Sequence, residues 1–486
     1  MSLHFDVVIV GGGVVGSAIA RALARYKLSI AVLEKNLDVC METSGRNTGV
    51  VHGGFAYDVG SLKAKLCLEG NKLMDALSQE LGFSFRRSGK VLVGNTKKEY
   101  QSLLATMRQG AENGVQGLRM VDEETLHRLV PSVVGRFALY SPHSGIVDPF
   151  GLTIALAENA ATNGVHYYLG REVNAITRAD GIWHVEAGAE EYQGRWIINA
   201  AGLGAKQISD MIGITGYRVI ASKDDYIILD NRLGKLVPMP IYTVPSNTYM
   251  GIHVSPTTDG NILLGPTAEN SENFSYYGTE QKNLDVLYES ARALWPHFGR
   301  GDSIRTYSGI LPKLVDEAGK IQDFKIEIRD EVAPHVVNLI GIESPGLTAS
   351  VPIARMVVDM IGEREHLVEN PAFNPERKMP KPFREMTKAE QEEAVRENPD
   401  YGELICRCQK VSKAEILQAI HNPIGARTMV SVKYRCRAMM GRCQGGYCQM
   451  RIAELLEEEH GMKDPELTYE RKGSWVFSGK TREAGL

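Results

Sequence analysis

Seven cysteines occur in the chain, and five of them, Cys406, Cys408, Cys436, Cys443 and Cys448, crowd near one end. Cys406-x-Cys408 and Cys443-x-x-x-x-Cys448 make two local pairs. Four thiolates in two pairs suit a four-coordinate iron or zinc centre, and Cys436 falls outside both pairs. The odd total and its clustering fit a reducing compartment and a local metal site better than a disulfide framework. At the other end, Gly11-x-Gly13-x-x-Gly16 follows the apolar, β-branched run Phe5–Val10. The first glycine permits a tight turn, the second lets a pyrophosphate approach the backbone, and the third lets helix and strand pack closely. Glu34 closes the next apolar run, where a carboxylate can bind ribose hydroxyls. Together these residues predict dinucleotide binding.

The elements that must position these groups follow from the pattern. Phe5–Val10 reads as a strand, Val14–Tyr26 as an apolar helix, and Ser29–Leu33 as a second strand. That βαβ unit implies a parallel sheet. From about Ser84 to Gly265 strands such as Lys90–Gly94 and Trp183–Glu186 mix with helices such as Gly151–Asn163, and 220–330 is strand-rich. Residues 336–361 return to strand, Gly/Pro turn and helix. The expected class is therefore α/β and α+β: a Rossmann-type nucleotide-binding domain interrupted by a β-rich domain, with a small helical four-cysteine module behind it. We place the oxidoreductase part at 1–368, with nucleotide-binding segments at about 1–83, 145–215 and 330–365. The inserted domain takes about 84–144 and 216–329. Residues 369–384 hold four prolines and read as linker, extended to 400. The module spans 401–460, with Ser412-x-x-Glu415 as a capping box, and 461–486 form a polar tail.

Composition narrows the classes further. The 486 residues (53.5 kDa) are 43% hydrophobic and 23% charged, which excludes wholesale disorder. A net charge of −4 and a pI near 6.3 argue against a nucleic-acid coat. No apolar run is long enough to span a bilayer, and the N-terminus lacks a signal-peptide pattern, so the expected location is cytoplasmic. Peripheral membrane association stays open.

Two later stretches decide which dinucleotide. Asn199-Ala200-Ala201-Gly202 resembles the second fingerprint of flavoproteins with this fold, and Gly341–Thr348 resembles their closing motif. Glu42–Gly54, Gly251-Ile252-His253 and Asp259–Ala268 complete the pattern. On these residues the chain resembles the FAD-dependent glycerol-3-phosphate dehydrogenase and L-2-hydroxyglutarate oxidase group of the D-amino-acid-oxidase-like superfamily, over about residues 3–362. The resemblance implies FAD held by Gly11, Gly13, Val14, Val15, Gly16, Glu34, Lys35, Thr43, Ser44, Asn47, Gly49, Val50, Val173, Ala201, Gly202, Gly309, Gly346, Leu347 and Thr348. It also implies His52 as the base that takes a hydroxyl proton, since a neutral imidazole is proton-hungry near pH 7. His253 is the expected second substrate contact, and Tyr57 a weaker one. The family often carries Gly-Leu-Arg-Pro late in the substrate domain; here Leu311 takes the Arg place, and Lys313 or Arg305 stand in by proximity only.

The cysteine module, with Glu403–Cys408 and Met440–Cys448, resembles the bacterioferritin-associated-ferredoxin-like domain. It implies a [2Fe–2S] cluster on Cys406, Cys408, Cys443 and Cys448, with zinc as the lesser alternative. Arg407, Lys410, Lys433, Arg435, Arg437 and Arg442 flank the cysteines and are expected to offset the thiolate charge. The expected activity is oxidation of a small anionic secondary alcohol, sn-glycerol 3-phosphate first and L-2-hydroxyglutarate second. An amino-acid or amine dehydrogenase, or a subunit that chiefly relays electrons, are the other readings. The expected partner is an electron-accepting flavoprotein or a quinone-linked subunit, with no nucleic acid.

Overall fold

The computed structural model describes residues 2–244, 251–463 and 466–479. The first sheet opens with β1 (Ser2–Val10) and β2 (Ile30–Glu34), joined by α1 (Val14–Leu23). Val7, Val8, Ile9 and Val10 are all at most 5% exposed, because a parallel strand carries covering structure on both faces. A Cβ on Gly16 would collide with the Gly11 carbonyl oxygen, so glycine is required where α1 leaves the strand.

Next come α2 (Leu62–Leu81), β3 (Lys90–Gly94), α3 (Lys97–Glu112) and α4 (Pro149–Thr162). Ser61 caps α2 by accepting the Ala64 N–H, and Gly82 ends it in the left-handed region at φ +67°. The first sheet continues with β4 (His166–Leu169) and β5 (Glu190–Asn199). The second sheet holds β6 (Arg218–Leu229), β7 (Ile241–Thr243), β8 (His253–Pro256), β9 (Ile262–Gly265) and β10 (Ser303–Val315). β11 (Val336–Ile340) returns to the first sheet and leads into α5 (Gly346–Gly362).

In the first sheet β11, β5, β1, β2 and β4 lie side by side and parallel. Asn199 at the end of β5 donates to Asn338 Oδ1 at 2.8 Å and to the Ala205 carbonyl at 2.7 Å, tying two returning segments together. In the second sheet β10, β6, β9, β8, β7 and β3 are neighbours, and only the β7–β3 pair is parallel. The architecture is thus the mixed α/β type with an inserted β-rich part. Helices α2 and α5 cross so closely that a Cβ on Gly70 would strike the Thr348 carbonyl oxygen.

The proline-rich stretch is not a loose tether. Arg377 pairs with Glu158 at 2.7 Å and donates to the Leu81 carbonyl at 3.1 Å. Asn159 donates to the carbonyls of Asn374 and Glu376, and Arg21 to that of Pro375. Prolines lack N–H groups, but the carbonyls along this stretch are taken by side chains of α1 and α4. The segment is strapped to the first domain.

The small module contains α6 (Lys413–Ile420), α7 (Met429–Cys436) and α8 (Gln449–His460) around Ile405, Ile416, Ile420, Val432, Ile452, Leu455 and Leu456. The capping box is present: Ser412 Oγ accepts the Glu415 N–H at 3.3 Å, and Glu415 accepts the Ser412 N–H at 2.8 Å. The module is docked on the first domain. Tyr434 stacks on Phe150 with ring centroids 4.0 Å apart, and Ile424 and Val430 join Val39, Met41, Ile154 and Ala157 in one buried cluster.

Candidate active site and cluster centre

One cavity of about 840 Å³ runs from the Gly11–Val15 turn to the second sheet. Two helices point their N-termini at it, α1 through Val14 and α5 through Gly346 and Leu347, and neither has a side-chain cap. Uncapped N–H groups and the positive ends of two helix dipoles favour phosphate at one place and negative charge on a ring at the other. Gly11 sits at φ +109°, and its Cβ would overlap the Ala200 carbonyl. Glu34 accepts the Gly12 N–H at 2.7 Å, and Ser44 Oγ accepts the Val14 N–H at 2.9 Å, which fixes the cradle's shape. An elongated dinucleotide such as FAD fits this cleft.

Of the residues expected to hold it, Gly11, Gly13, Val14, Val15, Glu34, Lys35, Thr43, Ser44, Asn47, Val50, Val173, Ala201, Gly202, Gly346 and Leu347 line the cavity. Gly16, Gly49, Gly309 and Thr348 do not; they stand one layer back. Gly16 lies under Gly11, Gly49 packs on the Val147 carbonyl, and Gly309 on the Arg46 carbonyl. Thr348 Oγ1 accepts the His52 N–H at 3.2 Å. Those four positions shape the wall, because close backbone contact leaves no room for a ligand beside them.

His52, His253 and Lys313 also line the cavity, brought together from three distant segments. The His52 carbonyl accepts from Asn71 at 2.8 Å, so α2 and α5 grip its backbone from both sides. Burial, with the Lys90 cation and His253 nearby, holds the His52 imidazole well below its usual pKa. Burial and Lys90 likewise push His253 down to about 3. His253 Nδ1 is 3.4 Å from the Gly251 carbonyl, which assigns the ring proton to Nδ1. Nε2 of His253 is then an acceptor, and it is buried with no partner among the described residues.

Several neighbours carry no motif. Tyr242 stacks on His253, with centroids 3.9 Å apart and rings 9° from parallel. Lys90 lies over the rings of Tyr242 and Phe55, at 4.4 and 4.8 Å. It is 1% exposed, and burial pushes it down to about 8. Lys63 and Glu343 pair at 2.7 Å on the cavity wall. Asp224 faces the cavity near Lys313; burial pushes its carboxyl up to about 8, although the Lys313 charge opposes this. Leu311 lines the cavity too, where the family places its arginine. Tyr57 is a wall residue, its hydroxyl 3.4 Å from Ser344 Oγ.

The second centre is local. Cys406 and Cys408 sulfurs are 3.9 Å apart and Cys408 and Cys443 sulfurs 3.7 Å, with Cys448 close enough to Cys406 to perturb its thiol. Two thiolates on one tetrahedral metal with ~2.3 Å bonds sit about 3.8 Å apart, so the donors fit. Cys406, Cys408, Cys443 and Cys448 would together hold a [2Fe–2S] cluster, which would supply one-electron transfer. Lys410, Arg437, Met439 and Gln444 are all non-glycine residues at positive φ in the surrounding loops, backbone strain of the kind found at ligand clamps. Cys406 and Cys448 are buried, Cys408 and Cys443 exposed, and Cys436 instead donates to the Val432 carbonyl at 3.2 Å.

The basic residues flanking the cysteines have a different task from the one expected. Arg435 pairs with Asp38 at 2.6 Å and Glu158 at 2.9 Å. Arg437 pairs with Asp148 and Asp259, and Arg442 with Asp230 at 3.1 Å. Carboxylates of the larger domain take up these charges; for Arg435 and Arg437 docking buries both partners, where an unpaired charge is costly, while Arg442 stays exposed.

Residues 6–360 match the family described as FAD dependent oxidoreductase, and residues 404–458 match the BFD-like [2Fe-2S] binding domain. A glycerol 3-phosphate dehydrogenase of Caloramator mitchellensis is 35% identical over 481 residues, covering 98% of this chain and 99% of that protein. The mitochondrial L-2-hydroxyglutarate dehydrogenase of Homo sapiens is 31% identical, over 75% of this chain and 90% of that protein. The structure is similar to the FAD-bound, dithionite-reduced L-alpha-glycerophosphate oxidase from Mycoplasma pneumoniae. That match has a TM-score of 0.73 and 27% identity, over 78% of this chain and 99% of the other.

Proposed function

The chain belongs to the FAD dependent oxidoreductase family, and from that premise we propose that it oxidises sn-glycerol 3-phosphate to dihydroxyacetone phosphate. It is an FAD-dependent dehydrogenase whose cofactors are FAD and a [2Fe–2S] cluster. No helix among the described residues is long and apolar enough to cross a membrane. We propose a cytoplasmic enzyme whose electrons leave through the cluster to a flavoprotein or quinone-linked subunit. The observation that carries the reading is the pair of neutral imidazoles, His52 and His253, set in one wall of a dinucleotide cavity. Support for this substrate over others is the similarity to the Caloramator mitchellensis protein through both domains.

Bound FAD supplies an acceptor for the hydride. The rest falls to the chain's own residues. His253 Nε2, the free acceptor, orients the substrate hydroxyl. His52 takes the hydroxyl proton at a ring nitrogen as the carbon gives up its hydride, and burial keeps the imidazole unprotonated and ready for it. Lys313 holds the anionic group. With Asp224 pushed up to about 8, that carboxyl is neutral at pH 7 and leaves the Lys313 charge free for the substrate. Leu311 in place of the family's arginine supports a second reading, a 2-hydroxy acid such as L-2-hydroxyglutarate, in which no phosphate has to be held.

Anaerobic titration of the FAD- and cluster-loaded chain separates the two. Bleaching of the flavin by glycerol 3-phosphate but not by L-2-hydroxyglutarate is expected; the reverse order overturns the first reading. His52→Ala should keep FAD yet slow bleaching about 100-fold or more. A change under about threefold would assign His52 to structure.

A further inference from the structure

A second cavity of about 140 Å³ lies where the small module meets the larger domain, and Lys433 of α7 lines it. Asn47 and Thr48 line both this cavity and the large one, so a single layer of chain separates them. Lys433 is 3% exposed, and among the described residues it has no hydrogen-bond or ion-pair partner. The neighbouring charges do not supply one. Arg437 is taken by Asp148 and Asp259, and Arg46 by Glu470 of the tail. Arg305, exposed at the rim, bonds the neutral Gln444 side chain at 3.3 Å. Two cations, one buried and one at the entrance, therefore face a space whose own carboxylates, Asp148 and Asp259, are paired with Arg437, and Glu470, whose charge acts on Lys433, is paired with Arg46.

Burying an unpaired ammonium is costly, and proteins that retain one give it a partner or neutralise it. Burial, with Arg305 and Arg46 close by and only Glu470 and Cys448 opposing, pushes Lys433 down to about 7, and a bound anion would favour its charged form. The space is several times the ~30 Å³ share of one water molecule. A guanidinium fork and an ammonium are the donor set that recognises oxyanions.

We propose that this cavity is a binding site for a small phosphate, free or on a small ester, held between Lys433 and Arg305 at the junction of the two redox domains. The inference does not depend on which alcohol the enzyme oxidises. Occupancy neutralises Lys433 and bridges α7 to β10, so the bound anion reinforces docking of the module beside the Asn47–Thr48 wall.

The test uses the full chain loaded with FAD and cluster, in chloride buffers of fixed ionic strength. Calorimetric titration with inorganic phosphate should show a site with Kd below about 1 mM that chloride does not fill. Methyl phosphate, which lacks a secondary alcohol, is the second arm; tighter binding of one probe names the source. Lys433→Met should weaken binding about tenfold or more and Arg305→Ala several-fold, while Lys313→Ala leaves it unchanged, which separates this site from the substrate cavity. Thermal unfolding gives an independent sign. Without phosphate, Lys433→Met should melt no lower than wild type, because it removes an unpaired charge; with phosphate the wild type should gain and the variant should not. Phosphate binding no tighter than chloride, or unchanged in Lys433→Met, overturns the proposal. Should that variant fail to fold, unchanged phosphate affinity in Arg305→Ala at the exposed rim overturns it equally.

Discussion

The large cavity takes its walls from residues as far apart as Val10 and Leu347, while the four cluster thiols come from two loops between Cys406 and Cys448. The first is a product of tertiary structure: turns after β1 and β5, the loop after β2, four strands of the second sheet and the start of α5 must all arrive together. The second is nearly complete within one small module. A short-range site carries its ligands in its spacing, whereas a long-range site shows only the glycines that permit it. Loss of function should differ accordingly. Damage to a cysteine should stay local, and damage to the docking surface should lower the stability of the docked pair of regions.

Cys408→Ser is the largest expected effect. It removes the thiol that contacts both Cys406 and Cys443, so the cluster should be lost outright while FAD remains bound. Iron analysis and electron paramagnetic resonance of the anaerobically reduced protein read the first half, and released flavin the second. Loss of FAD together with iron would show that the two centres fold as one unit and break the contrast. Turnover with a one-electron protein acceptor should vanish, and flavin bleaching by substrate should persist.

Arg435→Ala tests the surface between the regions. The Arg435 side chain is 4% exposed and its partners Asp38 and Glu158 are 0% and 8% exposed. The change leaves the buried Asp38 without its cation, while Glu158 keeps Arg377, and a broken buried pair costs about 3–5 kcal/mol. Denaturant unfolding should lose about that much stability, with iron content intact in the folded fraction. A loss below about 1 kcal/mol would mean that the module is held by its apolar contacts alone.

What the sequence conveys follows the same division. Gly11-x-Gly13-x-x-Gly16, Cys406-x-Cys408 and the Ser412–Glu415 box are local rules, and the structure forms each where the spacing places it, whereas Cys443 meets Cys408 across the two loops. Strands Lys90–Gly94 and Val336–Ile340 match the pattern to the residue, since apolar runs bounded by turn residues fix their own ends. The composition of the Pro-rich segment reports backbone stiffness, not whether Arg21 and Asn159 wait on another helix to bind its carbonyls. Adjacency in the chain assigns Arg435, Arg437 and Arg442 to the cluster, but their carboxylates come from positions 38 to 259. Lys90 and Tyr242 carry no signal at all: one is a lysine in an apolar strand and the other one of 19 tyrosines, and only strand pairing brings both beside His253.

Lys90 supplies the smallest and most diagnostic effect. It touches neither cavity directly, but its cation lies over Tyr242, and Tyr242 lies flat on His253. Its charge opposes protonation of both His52 and His253, adding to the larger effect of burial. Lys90→Met keeps the apolar stem between Phe55 and Tyr242 and removes only the charge. Both imidazoles should then protonate more readily, so their pKa values rise. An imidazole that must be neutral to accept a proton is active above its pKa and inactive below it. The acid limb of flavin reduction against pH should therefore move upward, by about one unit or less, since burial remains. At pH 8 the rate should be nearly unchanged, because both rings are neutral there in either protein. A purely structural role for Lys90 predicts the opposite combination: a lower melting temperature, a rate reduced equally at every pH, and an acid limb that does not move.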